Sequence, residues 1–92
     1  MFYLICYDIV DDRRRTRVAR LLEAYGVRIQ KSVFESVLNP AQYEKLQARL
    51  LQLLERREDQ LRFYPLSEHC RNKVIVLGIQ PDFQIDDPAL II

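Results

Sequence analysis

The chain has 92 residues, 49% apolar and 29% charged, with a formal net charge of +1. That length predicts one domain, and the balance of apolar and charged residues excludes an intrinsically disordered chain. Net charge alone announces no nucleic-acid partner, and two glycines in the whole chain exclude a glycine-rich phosphate loop.

Phe2 to Tyr7 (FYLICY) is a continuous apolar run, too short for a helix, and predicts a buried central strand that stops at Asp8. Asp11 or Asp12 is placed to cap a following helix, because a carboxylate accepts from the free N–H groups there. Val18, Leu21, Leu22 and Tyr25 stand at i, i+3, i+4 and i+7, one buried stripe. Gly26 then falls where a helix commonly stops on a left-handed residue. From Val27 to Leu38 the pattern alternates, with Val27, Ile29, Val33 and Val37 on one parity and Arg28, Gln30, Ser32 and Phe34 on the other. That stretch is long for a single strand in so small a domain. A split near Lys31–Ser32 into two paired strands fits equally, and the alternation does not decide between them.

Asn39-Pro40 breaks the strand and starts a second helix, with Tyr43, Leu46, Leu50, Leu53 and Leu54 as its apolar stripe and a charged end at Arg56, Arg57 and Glu58. Gln60 to Leu66 predicts a strand, placed at an edge or an end by Pro65. Ser67 to Asn72 reads as a polar loop and Lys73 to Ile79 (KVIVLGI) as another buried-type strand. The order β-α-β(β)-α-β predicts an α+β, ferredoxin-like sandwich over residues 1–80, an antiparallel sheet with two helices on one face. The strand at Lys73 is surplus to that plan. Together with the apolar end of a tail at 81–92, it suggests pairing onto a neighbouring protomer's sheet edge and docking of the tail on a partner.

Asp8 is the first candidate for chemistry, because it ends a buried strand and should emerge on rigid backbone at the rim of the sheet. The plainer alternative is a turn cap or a partner for a nearby arginine. One carboxylate makes a poor Mg²⁺ site, but a two-fold axis presents the same residue twice. Two facing Asp8 carboxylates repel unless a cation or a shared proton lies between them. A Mg²⁺ held there can bind a phosphate oxygen and lower the pKa of a bound water.

Arg13, Arg14, Arg15, Arg17 and Arg20 crowd into eight residues with no interleaved glutamate, and Arg28 and Lys31 follow. Arginine suits phosphate through its planar fork, so the run is a candidate for salt-dependent backbone binding. Arg13 and Arg17 share a helix face, and Arg14 and Arg15 point away from it. A solvated face neutralised by Asp11, Asp12 and Glu23 is the alternative. Phe34, among polar neighbours, is placed either to stack on a base or to pack at a dimer interface. His69 is the single histidine and sits in a polar loop. Cys6 and Cys70 lack disulfide or zinc spacing, which fits reduced thiols in the cytoplasm. The opening run has no basic leader and is too short to span a membrane, so neither a secretory signal nor a membrane anchor is expected.

Three motifs, Tyr7 to Arg15 (YDIVDDRRR), Gly26 to Glu35 (GVRIQKSVFE) and Phe63 to Leu66 (FYPL), make the chain resemble the CRISPR-associated protein 2 family over nearly its whole length. The resemblance implies a ferredoxin-like homodimer that exchanges its late strand, with residues 27–38 forming two strands. It implies one divalent ion, usually Mg²⁺, shared by Asp8 of both protomers, and cleavage or binding roles for Tyr7, Asp8, Arg15, Arg17, Arg28 and Phe34. The site so expected has Asp8, Tyr7 and Arg17 as catalytic residues, Asp8 as metal ligand, and Arg13, Arg14, Arg15, Arg17, Arg28 and Phe34 on nucleic acid. The implied partners are the CRISPR-associated protein 1 integrase and double-stranded DNA or single-stranded RNA. The implied function is spacer acquisition with a metal-dependent endonuclease activity, and the alternative is a non-catalytic dimeric scaffold for DNA. A toxin-like ribonuclease of related fold is a third reading. An RNA-recognition module fits less well, because no pair of central-strand aromatics of its kind is evident.

Overall fold

The apolar run forms strand β1 (Phe2–Asp8), which is hydrogen-bonded along both of its edges. The computed structural model describes residues 1–79. After β1 come helix α1 (Asp12–Glu23), strands β2 (Gly26–Gln30) and β3 (Val33–Val37), helix α2 (Pro40–Leu53), strand β4 (Gln60–Leu66) and a short helix α3 (Glu68–Arg71). The sheet order is β2-β3-β1-β4, antiparallel at every junction. This is the expected ferredoxin-like α+β sandwich. The predicted tail at 81–92 lies outside the described residues.

Alternation along β1 sends Tyr3, Ile5 and Tyr7 into the core, where Ile5 has Phe34 of β3 on one side and Phe63 of β4 on the other. Val18 and Leu22 of α1 and Leu46 and Leu50 of α2 close over them. Tyr43 lies flat on Tyr3 with ring centroids 4.4 Å apart, and Phe63 meets both rings edge-on. Each such pair contributes about 0.5–1.5 kcal/mol beyond its burial. The opposite face of the sheet carries Leu4, Cys6, Val33, Val37, Arg62 and Tyr64, and Val37 and Tyr64 on it are exposed.

Local chemistry sets the helix starts. The Asp11 side chain accepts from the Arg14 N–H at 2.9 Å and caps α1. At α2, Asn39 accepts from the Gln42 N–H and the Gln42 side chain accepts from the Asn39 N–H, a reciprocal box with Pro40 just inside it. Residues 27–38 do form two strands, turning at Lys31–Ser32, and a bulge between Arg28 and Gln30 shifts the register beyond it.

Four expectations change. Gly26 does not stop α1 with a left-handed backbone, since α1 ends at Ala24 in the right-handed region and Gly26 opens β2. Its glycine is needed for close approach: a Cβ there would lie 2.2 Å from the Glu35 carbonyl oxygen. Ser67–Asn72 is not a loop throughout, because Ser67 caps the one-turn α3, whose Arg71 lies 4.5 Å over the Phe2 ring. Phe34 belongs to the core, with 0% exposure, because β3 turns that parity toward the helices. Lys73–Ile79 forms no strand in the single chain. A strand needs a ladder partner, and here Ile75, Leu77 and Ile79 stand 74%, 88% and 97% exposed.

Gly26→Ala should therefore destabilise the fold by about 1–3 kcal/mol, the usual cost of overpacking. Urea unfolding followed by circular dichroism measures it, and an unchanged midpoint would refute the close-approach role.

Candidate active site

Asp8 is the last residue of β1, paired in register with Gln60 of β4, and it is exposed. Beyond it the chain reaches the α1 cap within three residues. Here an open cleft of about 680 Å³ is lined by Tyr7, Asp8, Arg15, Arg20, Glu23, Arg28 and Lys31, with Ile9, Thr16, Ala19 and Ser32 filling the rest. Four cationic side chains thus face two carboxylates. An anionic, oxygen-rich ligand suits that balance, with guanidinium forks for phosphate oxygens.

The β2–β3 turn is held by one acceptor. The Lys31 carbonyl oxygen receives the Tyr7 hydroxyl at 3.0 Å and the Arg28 guanidinium at 3.1 and 2.6 Å. Tyr7 is buried, and burial raises its pKa, so the phenol stays protonated and donates. Arg28 is in turn placed 5.7 Å over the Phe34 ring. Tyr7 and Phe34 therefore act on the cleft from beneath, through the position of Arg28.

The arginine run is divided by the helix. Arg14 forms a fork to Asp59 at 2.8 and 3.3 Å and also reaches Glu58 at 2.9 Å. Arg15 donates to the Ile9 carbonyl at 3.2 Å and pairs with Asp12. Arg13, Arg17 and Arg20 are exposed, with no ion pair among the described residues. As a metal ligand, Asp8 offers a hard, accessible carboxylate on rigid backbone, which fits a divalent ion as one ligand of several. Among the described residues no three His, Cys, Asp or Glu side chains cluster to complete such a site.

A family model for CRISPR associated protein Cas2 matches residues 1–74. The chain belongs to the Cas2 family. A relative from Synechocystis sp., named CRISPR-associated endoribonuclease Cas2 3, is 51% identical over 79 residues, 86% of each chain. Streptococcus pyogenes Cas2, solved at pH 6.5, superposes with a TM-score of 0.77 at 35% identity, covering 85% of this chain and all of that one. A chain of a partial Cas6-RT-Cas1–Cas2 complex superposes with a TM-score of 0.72 at 35% identity, covering 83% of each.

Of the site residues expected from the resemblance, the fold brings Tyr7, Asp8, Arg15 and Arg28 to one cleft, and leaves Arg13, Arg14, Arg17 and Phe34 outside it. Phe34 has no surface for a base to stack on. Arg14, with its side chain 25% exposed, is engaged by two carboxylates. Sequence reasoning did not assign Thr16, Glu23 and the Lys31 carbonyl to the site. The signal for Glu23 was present, since Arg15, Thr16, Ala19, Arg20 and Glu23 follow helical spacing along one face. Also among the described residues, no helix is long and apolar enough to cross a membrane.

The Arg14 hydrogen bonds hold Asp59 well below the ordinary 3.8, at about 2. A depressed carboxylate stabilises the folded state fully above its unfolded pKa and ceases to do so as pH falls through the folded one. Asp59→Asn should lower the melting temperature at pH 7 by roughly 4–8 °C. Thermal melts across pH should show that gap closing between about pH 4 and pH 2; a gap independent of pH would refute the assignment.

Proposed function

We propose that this chain is the Cas2 subunit of a CRISPR adaptation complex and a metal-dependent endonuclease on nucleic-acid phosphodiesters. The observation that carries the reading is the accessible Asp8 carboxylate at the end of the central strand, beside a cleft of Arg15, Arg20, Arg28 and Lys31. The relative's name supports the endonuclease activity. The Cas1–Cas2 assembly that holds a structural neighbour supports Cas1 as the partner.

One Asp8 is too few ligands, and a homodimer supplies the second. Two features support dimerisation: the sheet face opposite α1 and α2, with exposed Val37 and Tyr64, and the exposed Val74, Ile75, Leu77 and Ile79 that follow α3. In the dimer the segment at 73–79 becomes a strand on the partner's sheet, and Asp8 of both protomers holds one Mg²⁺. When bound, that ion supplies a water of lowered pKa and neutralises charge at a phosphate oxygen. The chain's own residues bind and orient: Arg15, Arg28 and Lys31 hold phosphate at the cleft, and Arg13 and Arg17 engage the backbone alongside. Tyr7 acts by fixing the turn carbonyl of Lys31, to which Arg28 also donates.

A second reading, a scaffold that binds duplex DNA without cutting it, draws support from the exposed Arg13, Arg17 and Arg20 and from the absence, among the described residues, of any cluster of three metal-ligating side chains. Labelled single-stranded RNA and double-stranded DNA, incubated with Mg²⁺, Mn²⁺ or EDTA across pH, separate the two. The expected result is cleavage that needs both metal and Asp8, abolished in Asp8→Ala with DNA affinity retained. Arg17→Ala should weaken DNA binding and lower the salt slope by about 1. No cleavage by the wild type under any condition leaves the scaffold.

Sedimentation tests the dimer separately. The wild type should sediment as a dimer, and Leu77→Asp, which places a charge in the exchanged strand, should shift it toward monomer. A monomeric wild type overturns the two-fold site.

A further inference from the structure

The peptide group that joins Ile9 to Val10, immediately beyond Asp8, is held at both of its polar atoms. The Ile9 carbonyl accepts from the Arg15 guanidinium at 3.2 Å. The Val10 N–H donates to Asp59 at 3.1 Å. Because a peptide unit is planar and stiff, holding its oxygen and its nitrogen leaves it only rotation about the line between them. The Ile9 side chain is buried on the same stretch, which pins the chain a third time.

Asp59 is the centre of this arrangement. Its side chain has 0% exposure, yet both oxygens are fully engaged. One oxygen takes the Val10 N–H and an Arg14 Nη2 donor, and the other takes Arg14 Nε and the Glu55 N–H at 2.9 Å. Asp59 also immediately precedes Gln60, the register partner of Asp8. The carboxylate therefore ties together the loop after Asp8, helix α1 and the turn that leads into β4. A solvated helix face needs no such construction, and an arginine meant for phosphate is not placed against a buried carboxylate.

We propose that Arg14 and Asp59 are positioning residues for Asp8, clamping the Ile9–Val10 peptide against Arg15 so that the Asp8 backbone is held between the β4 ladder on one side and a clamped peptide on the other. This rests on Asp8 being the metal-binding carboxylate. The arginine run then has two roles. Arg14 holds the loop, Arg15 holds it from the wall of the cleft, and Arg13, Arg17 and Arg20 remain for the ligand. Two carboxylates that must meet one ion across a two-fold axis tolerate little freedom in either backbone, and partners of that kind typically account for about 10–100-fold in metal affinity or activity.

The test uses the full chain with Asp59→Asn, which keeps the shape and loses the charge, and Arg14→Lys, which keeps the charge and loses the fork. Amide hydrogen exchange reads the clamp directly, and Mn²⁺ binding followed by electron paramagnetic resonance reads Asp8 without relying on activity. Both variants should exchange the Val10 amide at least about 10-fold faster and bind Mn²⁺ about 10-fold more weakly. The salt slope of DNA binding should match that of the wild type. Unchanged exchange at Val10, or unchanged Mn²⁺ affinity alongside a lower melting temperature, overturns the positioning role and leaves a purely structural ion pair. A salt slope reduced by about 1 in Arg14→Lys overturns it in favour of a phosphate contact. A wild type that binds no Mn²⁺ is the separate failure of the metal-site reading, and it overturns the positioning of Asp8 for metal with it, while faster Val10 exchange in the variants still identifies the clamp.

Discussion

Every other element is arranged around a strand hydrogen-bonded on both edges. β1 pairs with β3 from Phe2 to Cys6 and with β4 from Phe2 to Asp8, so the β4 ladder runs on past the β3 ladder by two residues. A strand so held cannot slip by one residue without turning Tyr3, Ile5 and Tyr7 out of the core and Leu4 and Cys6 into it. The register thereby fixes where the apolar run ends, and the charged residue at its end leaves the sheet at a defined point. The position of Asp8 is a consequence of the packing of Ile5.

The same economy runs through the polar interactions near the cleft. Three donors converge on the Lys31 carbonyl, and four on the two oxygens of Asp59. Both acceptors belong to turns, the β2–β3 turn and the turn before β4, and both are bound from the cleft's own neighbours. Loops are ordinarily the mobile parts of a fold. Here a carbonyl and a buried carboxylate fix two of them, and both rely on arginines that a composition count would assign wholesale to nucleic acid. Among the described residues no buried side-chain polar atom lacks a partner, so these networks carry their own desolvation cost.

The sheet face opposite α1 and α2 sets a different constraint. A sheet covered mainly on one side leaves apolar residues in water on the other, and this chain adds an apolar segment after α3 whose Ile75, Leu77 and Ile79 no described residue covers. Exposed Leu77 and Ile79 leave apolar surface in water, and the proposed homodimer would cover it while pairing the two Asp8 carboxylates.

Much of this was legible in the residues. The apolar run from Phe2 to Tyr7, a cap at Asp11 or Asp12, the Asn39-Pro40 start and the stripes on the two helices all act over short range, and local spacing points to them. Asp8 at a strand end followed from the same run. Other features were settled only by the fold, because they depend on contacts between residues far apart in the chain. Arg14 meets Asp59 across 45 positions, which no helical periodicity encodes. Phe34 shares its parity with Arg28, and only the pairing of β3 with β1 shows that this parity faces the helices. Gly26 looked like a helix stop and proved to be a close approach to the Glu35 carbonyl of β3. The sequence by itself determined the elements and the end at which chemistry gathers. Tertiary structure decided which arginines are free to meet a ligand, because an arginine's role depends on the carboxylate or carbonyl that the rest of the fold brings to it.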